Sequence, residues 1–140
     1  MKLLLLLTVL GTARAEFLRI EVSMKDMNCA SCSDSLGKAF EKIRGVQHVD
    51  VSMEKGAVTL ELAEKNRVTI EQVWDTVKRI GFTPGDTKVT VRGNVKGDSL
   101  EISVIDKTVA LEGPAPQGEA TLKGTITPPP DPRTRFILRQ

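Results

Sequence analysis

The chain has 140 residues, of which 40% are hydrophobic and only two are cysteine, and its 20 Lys plus Arg against 18 Asp plus Glu give a formal charge of +2. So even a balance cannot neutralise a phosphate backbone, which sets nucleic acid aside as a partner, and the apolar share is enough for a core, which excludes wholesale disorder. Cysteines only two residues apart cannot staple a fold, so Cys29 and Cys32 are read as a pair.

Residues 1–15 join a basic Lys2 to an apolar run over Leu3–Leu10 and end in Ala13-Arg14-Ala15, a small-x-small pattern. This is the form of a secretory signal cleaved before Glu16, and the run is too short for a hydrocarbon layer of ~30 Å. The expectation is a secreted, periplasmic protein without stable membrane insertion after cleavage. Losing Lys2 and Arg14 leaves eighteen basic and eighteen acidic side chains, so function is expected from a local site rather than from net charge.

Leu18, Ile20, Val22 and Met24 alternate with polar residues, which predicts a strand with one buried face. Beyond the loop KDMNCASC, the spacing of Leu36, Ala39, Phe40 and Ile43 predicts an amphipathic helix ended by a left-handed cap at Gly45. Val49, Val51 and Met53, then Val58, Leu60 and Leu62 across Lys55-Gly56, form a hairpin. Thr69 as N-cap, a stripe of Ile70, Val73, Trp74, Val77 and Ile80, and Gly81 as the stop define a second helix. A fourth strand over Thr87–Arg92 completes β-α-β-β-α-β, which predicts an α+β ferredoxin-like sandwich: a four-stranded antiparallel sheet with two helices on one face.

After Arg92 only short β-like runs with Gly and Pro punctuation remain, so residues 16–92 are assigned to the sandwich and 93–140 to a small all-β appendage. VTVRGNV at 89–95 and ATLKGTI at 120–126 match in type at every position, with Gly93 and Gly124 at equivalent points. If this repeat is real, strand 87–95 is shared between the two parts and each glycine marks a bend.

The chemistry concentrates in the loop before the first helix. At a CxxC spacing across a helix start, both sulfurs can point to one spot, where free amides and the positive helix end favour thiolate. Two thiolates without histidine suit Cu(I) or Hg(II), whereas Zn(II) wants four protein ligands or three plus water. A redox-active CxxC is the alternative. His48 is the only histidine and falls on the polar phase of its strand, Met24 and Met53 fit the apolar phase and are expected in the core, and no phosphate loop or paired-carboxylate site occurs, so the chain is not read as an enzyme.

The MxCxxC motif after the first strand of a β-α-β-β-α-β chain resembles the heavy-metal-associated domain family, over about residues 17–92. The family includes copper chaperones, N-terminal modules of metal-transporting ATPases and periplasmic mercury-binding proteins. The resemblance implies Cys29 and Cys32 as ligands of one soft ion, Met27 as a buried tether of the loop, and Phe82 as an aromatic beside it. It also implies a monomer that hands its ion to a metal-transporting membrane protein or another metal-binding domain. Cu(I) leads and Hg(II) follows. Zn(II) is less favoured, because Asn28 stands where zinc-preferring members often have a carboxylate. Phe82 stands where many copper chaperones carry Lys, which tilts the balance slightly towards mercury.

Overall fold

Residues 15–25, 27–131 and 134–140 are described by the computed structural model; the expected leader, Ala15 excepted, and Asp26 lie outside them. Among the described residues no helix is long and apolar enough to cross a membrane.

Strand β1 (Glu16–Met24) carries a bulge: Phe17 faces Val91 and Arg19 faces Thr90 across the ladder, leaving Leu18 as the extra residue. The bulge resets the side-chain phase, so Phe17, and not Leu18, joins Ile20 and Val22 in the core. Helix α1 (Ala30–Glu41) buries Leu36 and Phe40 and ends at Lys42 in right-handed geometry. The expected cap, Gly45, lies beyond the helix at φ +102° and serves the turn into β2, where a Cβ would stand 2.7 Å from that of Asn66.

Strands β2 (Val46–Ser52) and β3 (Ala57–Leu62) form the hairpin. Met53 falls in its turn and is 41% exposed, which corrects the core assignment made from its strand phase. Helix α2 (Ile70–Ile80) begins where the Gln72 amide donates to Thr69 Oγ1 (3.2 Å) and ends at Gly81, whose φ of +106° favours a residue without Cβ.

Strand β4 (Pro84–Lys96) decides the architecture. One edge pairs with β1 through Arg92, in the antiparallel order β2-β3-β1-β4, and then, from Asn94, with β5 (Ser99–Ile102). Its other edge pairs with β7 (Gly118–Ile126) over Thr87–Val95. With β6 (Lys107–Glu112) and β8 (Ile137–Arg139), these strands close a ring β4-β5-β6-β8-β7 in which β6 and β8 run parallel. Counted from β4, this is the strand order of the five-stranded Greek-key barrels called OB-folds. The first four strands keep the antiparallel order β2-β3-β1-β4 within a larger whole: one eight-stranded sheet runs through both parts, with β4 shared as the repeat suggested, because a strand has two edges and β4 uses both.

The register explains the repeat. Val91 faces Leu122, with Gly93 opposite Ala120 and Val89 opposite Gly124, so a local two-fold about the central pair exchanges the two copies. A Cβ on Gly93 would lie 2.6 Å from the Glu101 carbonyl oxygen and 2.8 Å from Leu100 Cδ1; one on Gly124 would meet the Arg139 carbonyl and, at 2.8 Å, Leu138 Cδ1. Each glycine lets the next strand of the ring approach closely.

A single apolar cluster runs from Leu36, Phe40 and Val73 of the helices through Val89 and Val91 to Leu100, Ile102, Leu122 and Leu138 of the barrel. Trp74 of α2 donates from Nε1 to Thr87 Oγ1 (2.9 Å) and makes an edge contact with Phe136 just before β8, at a centroid distance of 5.2 Å. Lys107 of β6 pairs with Glu71 of α2 at 2.9 Å.

Candidate metal centre

Strand β1 ends at Met24, and the chain crosses the end of the sheet before α1 starts at Ala30. Met27 is buried, 5% exposed, so this loop is held to the core from its middle, while Asn28 is exposed. Cys29 is the N-cap of α1: its backbone is extended (φ −120°), and its sulfur accepts from the Cys32 amide at 3.3 Å. A thiol thus takes the place usually held by Ser, Thr, Asp or Asn at the amide end of a helix, where the Cys32 amide is shared between the Cys29 sulfur and the Cys29 carbonyl at 3.1 Å.

Cys32 follows in the first turn, with 5.2 Å between the two Cα atoms, and the two sulfurs are joined as a disulfide. Both residues are half-buried. Ser31 Oγ lies 3.0 Å from Cys29 Sγ, and Ser35 Oγ donates to the Ser31 carbonyl at 2.9 Å. When the pair is reduced, the same position offers two sulfur donors at the positive end of a helix dipole, a setting that favours thiolate.

The structure brings Cys29 and Cys32 together and buries Met27 in the apolar cluster. Phe82, beyond the Gly81 cap, is half-buried against the core and lines a groove of about 590 Å³ with Lys25, Pro84, Asp86, Thr127 and Pro128. Thr127 and Pro128 were not legible as part of this region. They arrive from the β7–β8 connection because β7 ends opposite Thr87, near the start of β4, and Thr127 Oγ1 is held by Asp86 Oδ1 at 2.7 Å. His48 is exposed, and among the described residues no group of three or more His, Cys, Asp or Glu side chains could hold an ion.

A β-α-β-β-α-β sheet with a half-exposed dithiol at the start of its first helix defines a small sulfur-donor module. Residues 21–83 match the heavy-metal-associated domain, and the chain belongs to that family. An uncharacterised protein of Haemophilus influenzae is 33% identical over 82 residues, covering 58% of this chain and 87% of its own length. The copper chaperone CopZ of Staphylococcus haemolyticus is 28% identical over 61 residues, or 44% of this chain and 88% of its own. Copper-transporting ATPase 1 of Mus musculus is 22% identical over 128 residues, which is 91% of this chain and 8% of that protein.

Proposed function

We propose that the protein is an exported carrier of one soft metal ion, with Cu(I) foremost, held between the thiolates of Cys29 and Cys32 and released to a partner by exchange of sulfur ligands. The observation that carries this is the placing of both cysteines at the open amide end of α1, Cys29 as the N-cap and Cys32 in the first turn, half-buried and within reach of one ion. Two thiolates satisfy Cu(I), which accepts two-coordination, and Hg(II) equally; the donor set is poor for zinc. Kinship with a copper chaperone supports Cu(I). Met27 would fix the loop to the core, Asn28 would add no charge to the site, and Phe82 would be the aromatic beside it. The acceptor would be a metal-transporting membrane protein or another domain of this kind, whose thiolates displace Cys29 and Cys32 one at a time. Export rests on the pattern of residues 1–15.

Anaerobic titration of the reduced protein with Cu(I), Hg(II) and Zn(II) tests this proposal. One tight equivalent of Cu(I) or Hg(II) is expected, lost in the Cys29→Ser, Cys32→Ser double variant; tight stoichiometric binding that survives both substitutions would sink the assignment.

One second reading is a thiol–disulfide redox protein, which a CxxC pair at a helix start also fits. In it, a substrate disulfide would accept two electrons from the reduced pair, leaving Cys29 and Cys32 oxidised. Robust insulin reduction together with weak metal affinity would select that reading.

A further inference from the structure

We infer that the outer face of β1, β4, β7 and β8 is a docking groove for an acidic segment of a protein partner, separate from the metal centre. The groove has a volume of about 620 Å³ and lies on the sheet face opposite the apolar cluster. Two neighbouring rows of side chains cross it. In one, Arg19 of β1, Thr90 of β4 and Lys123 of β7 are direct cross-strand partners; in the other, Glu21, Lys88, Thr125 and Arg139 follow one another from β1 to β8.

Four cations and one carboxylate therefore line one concavity in a chain whose overall charges nearly cancel. Arg19, Lys88, Lys123 and Arg139 are all exposed. Among the described residues Arg19, Lys88 and Lys123 make no ion pair, and Arg139 is held by Glu112 at the rim, 3.0 Å away. Arg19 faces Glu61 and Lys88 faces Glu21 across the ladder, and Arg139 pairs with Glu112, so repulsion among the four cations is offset only in part and a ligand bearing carboxylates relieves the rest. The Thr90 and Thr125 hydroxyls, one within each row, add donors.

The occupant is argued from what surrounds the cations. No aromatic side chain lines the groove, so bases have nothing to stack on. The cations stand in a concavity, which a flat bilayer surface meets poorly. Ile137, on the same side of β8 as Arg139, is 42% exposed and lines a neighbouring cavity that shares Arg139 with the groove, so it offers an apolar contact next to it. An acidic peptide carrying an apolar residue meets each of these features. The groove is also composite: Arg19 lies on β1, Lys88 on the shared strand β4, and Lys123 and Arg139 on β7 and β8 of the barrel, and only the sharing of β4 brings them together.

The probe is a fluorescent peptide of alternating Glu and Asp with one central Leu, titrated into the full chain. Saturable binding is expected at low ionic strength, with at least about tenfold weakening as salt rises to about 0.15 M and screening shortens to about 8 Å. Lys88→Glu with Lys123→Glu should lose a further tenfold or more, the milder Lys88→Gln with Lys123→Gln less, and amide shifts should centre on Thr90, Gly124 and Thr125. Cys29→Ser with Cys32→Ser should bind the peptide like the unaltered chain, which separates this inference from the metal proposal. Absence of saturable binding, equal binding by folded Lys variants, or tighter binding of oligothymidylate or of phosphatidylserine vesicles than of the peptide would overturn it.

Discussion

The two sides of β4 reach a buried core by different means. On the β1 side, helices α1 and α2 cover the sheet, and the dithiol site comes from one continuous stretch, β1 to α1. On the other side the sheet covers itself by curling until β7 meets β4, and whatever it positions, including Thr127 and Pro128 beside Phe82, is set by pairing between distant strands. A site built by local chain order survives changes in a neighbouring domain; a surface built by register depends on every strand that fixes the register.

The largest effect that would sharpen this contrast is chemical. Cys29→Ser with Cys32→Ser should abolish soft-metal binding while circular dichroism stays native, because neither residue belongs to the core. Loss of fold in the double variant would show that the cysteine pair is structural.

Next come the cores. Leu138→Ala in the barrel and Leu36→Ala in α1 each remove a fully buried side chain and should cost about 2–5 kcal/mol. Because one apolar cluster spans both halves, urea unfolding should remain a single transition, coincident by Trp74 fluorescence and circular dichroism, in both variants. Two separated transitions would mean that the halves fold independently despite the shared strand.

The glycines should rank by what a Cβ would strike. Gly93→Ala and Gly124→Ala press a methyl onto backbone carbonyls and should each cost about 3 kcal/mol in thermal or urea melts. Gly81→Ala meets nothing within 4 Å and pays only for its positive φ, about 1 kcal/mol. Equal losses at the three positions would remove the close strand approach as the reason for the two barrel glycines.

Smallest is Thr69→Ala, which removes the acceptor for the Gln72 amide at the start of α2 and should cost about 1 kcal/mol without altering metal affinity.

Much of the first half was legible because its determinants are local. The period of two in the β3 residues Val58, Leu60 and Leu62, the helical stripe of Val73, Trp74 and Val77, the cap at Thr69 and the stop at Gly81 all act within a few residues of one another. Where local pattern misled, a specific geometric event intervened. The bulge at Leu18 moved Phe17 into the core, the hairpin turn carried Met53 into solvent, and α1 stopped short of Gly45. Of the candidate site, CxxC at a helix start could be read directly, but the N-cap role of the Cys29 sulfur and its contact with Ser31 needed coordinates.

The sequence by itself determined the order of strands and helices up to β4, the cysteine pair with its soft-donor chemistry, and two glycines at matching points of a repeat. Those follow from side-chain type and short spacing, which act before distant parts of the chain meet. The repeat hinted that β4 is shared, but tertiary structure alone decided which strands take its two edges, that Gly93 and Gly124 receive the next strands of a closed ring, and that cations from four strands share one groove. The reason is that a strand's pattern specifies which face is buried and leaves open which neighbour takes each edge; that choice is made only when the barrel closes.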